Sequence, residues 1–265
     1  MKSIANGLSE AKIQALIRKK VFKHHIRCPK CHRRYSQIIN HRYWCGKCRL
    51  KFSLKSCLVF KGSKLPFTIL WRLLECYLTP ISISQTVSMC RLSEPTVRRW
   101  HRKFAELLPD EQIQLQGLVE ADEAFIGRRK YNNQTPVIGA LERTSGRIVL
   151  KPLTSVESGQ TDKFLLEHID TASLIHTDAA SHYQNITDFF SYGHVVCNHS
   201  IGYFGPTNRI ENTWMRLRSF IRKTVARAWK EHLPRLLKEF MARNNHKEWF
   251  TSPINFLTLV PSQLG

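Results

Sequence analysis

Two Cys-x-x-Cys pairs near the start of the chain constrain its fold more than any other feature. The pairs are Cys28–Cys31 and Cys45–Cys48, and the 13 residues between them have strand character. Each pair can present two thiolates to one metal ion from a tight turn, and two such turns complete a tetrahedral Zn²⁺ site. A site closed by four cysteines leaves no position open for chemistry, so we expect a structural zinc ribbon over residues 25–60. The alternatives are a redox or disulfide pair, or His32 or His41 replacing a cysteine as ligand.

The remaining cysteines show no such spacing. They lie among apolar or helical neighbours, and no secretory segment is present that would lead to an oxidising compartment. We therefore expect small buried side chains in a reducing cytoplasm at Cys57, Cys76, Cys90 and Cys197.

The charge of the chain limits its partners. Its 41 Lys and Arg residues against 20 Asp and Glu residues give a formal net charge of +21. This excess favours a polyanion, because each Lys or Arg set against a phosphate releases condensed counterions. Nucleic acid is the first candidate and an anionic membrane the second. The sequence contains no apolar run long enough to span a membrane, which disfavours the second.

A pair of helices is predicted after the ribbon, within residues 61–112. The second helix begins after Ser93, a typical N-cap, with Pro95 in its first turn. Apolar residues spaced three and four apart give it a buried face, namely Val97, Trp100 and Phe104. Its other face is basic, with Arg98, Arg99, Arg102 and Lys103. A DNA-reading helix-turn-helix would present that face to the major groove, whereas in an ordinary helical hairpin it would only be solvated.

From residue 113 onward, short apolar runs alternate with turns. The order predicted is three consecutive antiparallel strands, a helix over 160–170, a strand ending in HTD, a further strand GHVVC and a long amphipathic helix. This is the order of an α/β ribonuclease H-like domain, which we expect over residues 113–265. With a basic helix over residues 1–24, the chain is predicted to be multidomain, its zinc ribbon and helix-turn-helix preceding the catalytic domain.

Acidic side chains cluster in spite of the basic composition. Glu120, Asp122 and Glu123 lie on the first predicted strand, where Glu120 and Asp122 share one face and Glu123 takes the other. Acids on a core strand cost free energy unless they bind something positive. Asp178 ends the fourth strand, and Glu211 lies at the edge of the buried stripe of the long helix. Carboxylates converging from such different elements can hold two metal ions for phosphoryl transfer.

Two of these acids have a purely structural alternative. Asp178 could be a helix N-cap or a turn residue. Glu211 could belong to a capping box with Asn208 as the N-cap. Arg218 lies seven residues after Glu211 and therefore on the same side of that helix.

Four blocks of the chain resemble one family. They are CPKC…CGKC, VEADEAFIGRR, HTDAASHY and NHSIGYFGPTNRIENTWMRLRSFIRK, and they extend over most of the sequence. The blocks resemble insertion-sequence DDE transposases, in particular the zinc-ribbon-bearing branch related to Merlin elements. The resemblance implies that Asp122, Asp178 and Glu211 form the DDE triad and hold two Mg²⁺ ions, for which Mn²⁺ can substitute.

The same resemblance extends to residues around the triad. It implies that Arg218 contacts DNA, and that His199 and Asn208 line the site. Because Glu120 and Glu123 are also acidic, the choice of Asp122 as the first ligand depends on the family.

The resemblance implies a transposase that binds the terminal inverted repeats of its own mobile element. It would catalyse metal-dependent strand cleavage and strand transfer into target DNA. Its partners would be double-stranded DNA, at the element ends and at the target, and further copies of the chain in a dimer or higher oligomer. No membrane partner is expected, and the location would be the cytoplasm, at the bacterial nucleoid. The alternatives are a zinc-ribbon DNA-binding regulator without catalysis (a domesticated transposase) and a junction-type nuclease of the same fold.

Overall fold

The structure is a computed structural model. The structure describes residues 8–34, 37–39, 42–127, 134–178, 180, 183, 186–191, 193–197, 208–225 and 230–259. The chain forms two compact units, one of Met1–Leu108 with Lys247–Gly265 and one of Pro109–His246. Throughout the described ranges, each helix is too short or too polar to cross a lipid bilayer.

The first unit begins with a helix and a small sheet around the cysteine pairs. Helix α1 (Glu10–Lys20) buries Ile13 and Ile17 and lies within residues 1–24, where a short basic helix is predicted. An antiparallel sheet follows in the order β1 (Gln37–Ile39), β2 (Arg42–Cys45) and β3 (Leu50–Phe52). The strand character between the two cysteine pairs is therefore confirmed, and β2 leads directly into the second pair.

Helices α2 (Phe67–Leu78), α3 (Ile83–Cys90) and α4 (Glu94–Ala105) complete this part of the unit. Arg91 follows the last residue of α3, and its φ of 53° lies in the left-handed region, which turns the chain towards α4. Ser93 is the N-cap of α4 as predicted, and its hydroxyl lies 2.9 Å from that of Thr96. The buried face of α4 includes the predicted Val97, Trp100 and Phe104.

The last described helix, α9 (Pro253–Thr258), belongs to the same unit. Phe256 is fully buried, and its ring centroid lies 5.6 Å from Tyr77 on α2 and 6.2 Å from Phe104 on α4. Offset and edge contacts between aromatic rings add to the stabilisation that burial provides. The core of the first unit therefore contains a residue from the far end of the chain.

The second unit is built on a mixed five-stranded sheet. Its strands are β4 (Leu118–Ile126), β5 (Thr135–Glu142), β6 (Ile148–Pro152), β7 (Leu174–Asp178) and β8 (His194–Cys197). The order across the sheet is β6-β5-β4-β7-β8. The first three strands are antiparallel, whereas β4, β7 and β8 are parallel. This topology is that of the ribonuclease H-like fold and agrees with the predicted order of elements.

Helices cover both faces of the sheet. Helices α7 (Asn208–Val225) and α8 (Leu233–Asn245) share one apolar cluster with β4, β5 and β6. Helix α5 (Ser158–His168) and the short α6 (Ile186–Phe189) belong to the cluster on the opposite face. The alternation of side chains along β4 therefore decides which acids face α7 and which face α5.

Strand β6 forms one edge of the sheet, and a side chain of α8 covers part of it. The amide of Asn245 accepts a hydrogen bond from the backbone N–H of Ile148 and donates one to its carbonyl, both at 2.9 Å. These two bonds satisfy the backbone groups of Ile148 that a further strand would otherwise pair with at this edge.

Candidate active site and metal centre

The four paired cysteines converge in the first unit. Their sulfur atoms lie within 4.8 Å of one another, and those of Cys31 and Cys45 are 3.5 Å apart. Each pair is followed by a residue in the left-handed region, His32 with φ 57° and Arg49 with φ 52°. The two pairs therefore share a left-handed residue at the same position after the second cysteine.

The chemistry and spacing of these sulfurs fit a zinc ion. Ligands at about 2.3 Å in a tetrahedron are separated by about 3.8 Å, close to the spacing observed. The hydrogen bond between Cys31 and Cys48 lowers the pKa of Cys31 to about 6 and raises that of Cys48 to about 12, so without a cation the two thiols share one proton. The thiolate is the form that binds metal. His32 lies outside this cluster, and His41 lies outside the described residues.

Three further cysteines are buried as predicted, Cys57, Cys76 and Cys90. The side chain of Cys197 lies outside the described part of the chain.

The basic residues predicted to read DNA lie on α4. Arg99 and Arg102 are exposed, while Arg98 Nε lies 2.7 Å from Glu94 Oε1. Lys103 Nζ lies 5.0 Å from the centre of the Trp100 ring. The surface of the helix is therefore basic but partly engaged by its own neighbours.

In the second unit, Asp122 and Asp178 lie on adjacent parallel strands. The last paired residues of β4 and β7 are Glu120 and His176, so each aspartate stands two positions beyond that pair on the same side of the sheet. Burial raises the pKa of Asp122 to about 6, and the charges of Glu123 and Asp178 add to the effect. The structure therefore brings two of the three predicted carboxylates together.

Asp178 also makes a turn contact, as expected from the alternative in which it is a turn residue. Its Oδ1 accepts a hydrogen bond from the backbone N–H of Ala180 at 3.1 Å. This hydrogen bond uses Oδ1 and leaves Oδ2 outside the turn. Asp178 can therefore make the turn and also be a metal ligand.

Glu123 points to the opposite face of β4, as the strand alternation predicts. It accepts a hydrogen bond at 2.6 Å from the hydroxyl of Tyr183, which is fully buried. Burial, together with the charges of Glu123, Asp122 and Asp178, raises the pKa of Tyr183 well above its usual value. The neutral hydroxyl can therefore donate to Glu123 throughout the physiological range.

Helix α7 carries Glu211 in its first turn, where the side chain is exposed. The backbone N–H groups of Arg209 and Ile210 donate to Glu120 Oε2 at 3.0 and 2.9 Å. The start of α7 is thus held by a carboxylate from β4. The capping-box alternative concerns a different amide, that of Glu211, and stays a prediction. The sequence singled out Glu120 without indicating this contact.

A second contact joins α7 to the same strand. Trp214 is buried, and its indole Nε1 donates to Asp122 Oδ2 at 2.8 Å. The indole also packs closely on β5, because a Cβ added to Gly139 would lie 2.6 Å from its Cη2 atom. The sequence did not indicate this contact of Trp214 with the site.

The remaining predicted residues have diverse positions. Asn208 and Arg218 are exposed on α7, whereas His199 lies outside the described residues. In the described part of the chain, the four cysteines are the one group of potential metal ligands within 4.8 Å of one another. The carboxylate oxygens of Asp122, Asp178 and Glu211 therefore do not all lie within that distance of one another.

The second unit matches a protein-family model. The model of the ISXO2-like transposase domain matches residues 114–245, which include the whole five-stranded sheet, α7 and α8. No curated protein matches the chain.

Among solved structures, similarity is found to retroviral integrases. The catalytic core domain of the HTLV-2 integrase, in complex with magnesium, is 13% identical, with a TM-score of 0.34 over 50% of this chain and 87% of that one. The catalytic core of the BIV integrase is 14% identical, with a TM-score of 0.37 over 50% and 85%. A simian T-cell lymphotropic virus intasome chain is 12% identical, with a TM-score of 0.40 over 66% of each chain.

The fold assignment thus depends on the strand order of the sheet and on the family model. Both describe the same part of the chain, and both agree with the motifs found in the sequence. Through residues 114–245, this chain belongs to the ISXO2-like transposase domain family.

Proposed function

We propose that this protein is a DNA transposase that cuts the ends of its own mobile element and joins them to target DNA. One observation carries the proposal: Asp122 and Asp178 lie side by side, and α7, which bears Glu211, is tied to Asp122 through Trp214. Like charges placed together on adjacent strands are costly unless a cation compensates them.

The carboxylates would hold divalent cations. Carboxylate oxygens are the ligands that Mg²⁺ and Mn²⁺ prefer, so the donor set fits two such ions at Asp122, Asp178 and Glu211. Bound ions would supply Lewis-acid stabilisation of charge on the attacking and leaving oxygens. The residues of the chain would contribute position: Trp214 orients Asp122, the turn at Ala180 orients Asp178, and α7 carries Glu211.

DNA recognition would use the first unit and the surface of α7. We assign the reading of the terminal inverted repeats to the zinc ribbon and to α4, through Arg98, Arg99, Arg102 and Lys103. Arg218, Asn208 and His199 would contact DNA at the catalytic site. The net charge of +21 supports this, since phosphate contacts dominate the affinity of proteins for DNA.

The domain limits and the assembly are part of the same proposal. They are a basic helix over 1–24, a ribbon over 25–60, a helix-turn-helix over 61–112 and a catalytic domain over 113–265. Two ends must be held together for joining, so a dimer or higher oligomer would form on double-stranded DNA. Its place of action would be the cytoplasm, at the nucleoid.

The test is a cleavage and strand-transfer assay with the full chain, Mg²⁺ or Mn²⁺, and duplexes carrying the DNA that flanks the gene. Asp178→Asn should lower cleavage at least about 100-fold, because several kcal/mol of charge stabilisation would be lost. Asp170→Asn is the matched control, because Asp170 Oδ1 accepts from the Ala172 N–H at 2.8 Å in the same kind of turn.

The outcomes separate the rival functions. Specific binding to the ends without cleavage in any variant would favour a DNA-binding regulator. Metal-dependent cutting without joining would favour a nuclease. Equal cleavage by wild type and Asp178→Asn would remove Asp178 from the chemistry.

A further inference from the structure

Glu120 is a buried carboxylate to which the proposed chemistry assigns no role. Its side chain has no exposed surface, and it lies on β4 two residues before Asp122. Both residues face α7, because Glu120 accepts hydrogen bonds from the first amides of that helix and Asp122 accepts one from the indole of Trp214. An ionised group in such a place must be compensated by partners.

The first partner is the start of α7 itself. The first amides of a helix have no acceptor within the helix and carry a partial positive charge. Glu120 Oε2 accepts from two of them, those of Arg209 and Ile210, at 3.0 and 2.9 Å. A carboxylate in this position forms charge-assisted hydrogen bonds, which are stronger than neutral ones.

The second partner is Arg143, just after β5. Its Nε lies 3.3 Å from Glu120 Oε1, and its backbone carbonyl accepts a hydrogen bond from the guanidinium of Arg209. Arg143 therefore contacts both the carboxylate and the helix that the carboxylate holds. Strand β4, the end of β5 and the start of α7 meet at this one network.

The position of the network links it to the site. Ile210 immediately precedes Glu211, so the amide that donates a hydrogen bond to Glu120 is one residue away from the third predicted carboxylate. Trp214 attaches the same helix to Asp122 one turn later. Two attachments along the axis fix the direction of a helix as well as its place.

We propose that Glu120, supported by Arg143, is a positioning residue that fixes the start of α7 and so sets where Glu211 stands relative to Asp122. The inference rests on the proposed function, because it gives Glu211 a role as metal ligand. Removing partners that orient metal ligands typically lowers metal affinity or activity about 10- to 100-fold.

The experiment compares full-length wild type with Glu120→Ala, Glu120→Gln and Arg143→Met. Glu142→Gln is the matched control, because Glu142 is also buried, lies 2.9 Å from Arg147 and accepts from the Gln116 N–H, but holds no helix. The first readout is hydrogen exchange over residues 208–217 in metal-free protein. The second is Mn²⁺ binding to the chain, followed by electron paramagnetic resonance. The third is the Mn²⁺ concentration that gives half-maximal DNA cleavage.

In Glu120→Ala, the backbone amides of residues 208–217 should lose their protection from hydrogen exchange, while those of β5 and β6 should keep it. Its Mn²⁺ affinity at the carboxylate site should fall about 10-fold or more. Glu120→Gln keeps a carbonyl acceptor and should lie between Glu120→Ala and wild type, and Glu142→Gln should match wild type. If Glu120→Ala does not fold, the comparison of Glu120→Gln with Glu142→Gln decides.

Unchanged exchange at the start of α7, or equal Mn²⁺ affinity in the Glu120 and Glu142 variants, would overturn the inference. Exchange and Mn²⁺ binding do not depend on cleavage. A wild type that binds Mn²⁺ but cuts no DNA would therefore count against the proposed function alone.

Discussion

The indole Nε1 of Trp214 donates a hydrogen bond to Asp122 Oδ2 at 2.8 Å, so the helix that carries Glu211 is tied to the strand that carries Asp122. The bond joins residues 92 positions apart in the chain. Its donor is neutral and its acceptor a carboxylate, so it favours the ionised form of Asp122 and lowers that group's pKa against the effect of burial.

Trp214→Phe should raise the pKa of Asp122, because the bond that stabilises the carboxylate is lost while most of the ring packing remains. The acidic limb of the pH–rate profile for cleavage should then move to higher pH. A hydrogen bond to a charged group contributes about 1.5–3 kcal/mol, so a comparable loss of stability is expected in chemical denaturation. Trp71→Phe removes a similar indole–carboxylate bond, 2.9 Å to Glu75, and should leave the pH–rate profile unmoved.

Gly139→Ala should disturb the site through the packing of the Trp214 indole. The new Cβ would lie 2.6 Å from Trp214 Cη2 and 2.7 Å from Leu150 Cδ2, so the core must shift. Overpacking of this kind costs about 1–3 kcal/mol, which thermal unfolding would measure, and cleavage should fall with it. Gly159→Ala adds the same methyl group where nothing lies within 4 Å, and it should be close to neutral. Equal Tm values for the two variants would contradict the packing described here.

Cys45→Ser should abolish zinc binding, because a tetrahedral site with three thiolates and a hydroxyl holds the ion poorly. Elemental analysis of purified protein should find about one zinc ion per chain in wild type and almost none in the variant. Cys76→Ser replaces another buried cysteine of the same unit and should keep its zinc. Zinc-free wild type with disulfides within the pairs, seen by mass spectrometry, would instead support the redox alternative.

Acidification should destabilise the second unit through His168 and His194. Burial lowers the pKa of both imidazoles below the usual 6.5, so the unfolded chain takes up protons first as the pH falls. The two neutral imidazoles contribute fully to the free energy of unfolding above pH 6.5. This contribution is lost as the pH falls from 6.5 towards the pKa values of the folded protein. The loss is at most about 1.4 kcal/mol per unit of pKa difference for each histidine.

The measurement is the midpoint of thermal unfolding of the full chain between pH 7.5 and 5.5. The double variant His168→Gln/His194→Gln should show a smaller decrease than wild type. Because the cysteine site is the same in both proteins, its own pH dependence cancels in the difference. Parallel curves for the two proteins would show that these histidines do not titrate as inferred.

Much of the second unit could be predicted from its sequence because its elements have local periodicity. Strand alternation placed Glu120 and Asp122 on one face and Glu123 on the other, and the contacts with α7 and Tyr183 confirm this. The cysteine spacing likewise predicted a cluster of four thiols, which is confirmed. In each case the information lies within a few neighbouring residues.

The contacts of Glu120 and Trp214 could not be predicted in this way. Each depends on how α7 crosses the sheet, and each joins residues about ninety positions apart. A buried acid on a strand indicates that some partner exists, but backbone amides of a distant helix leave no signal in the sequence. The same holds for Phe256, whose partners Tyr77 and Phe104 are set by tertiary packing alone.

The place of Phe256 also affects how the protein can fold during synthesis. The chain leaves the first unit after Leu108 and returns to it at Lys247, so the second unit is an insertion within the first. A ribosome therefore completes the strands and helices of the inserted unit before α9 exists. The second unit can therefore reach its native state first. The first unit cannot complete its aromatic core until α9 has emerged from the ribosome.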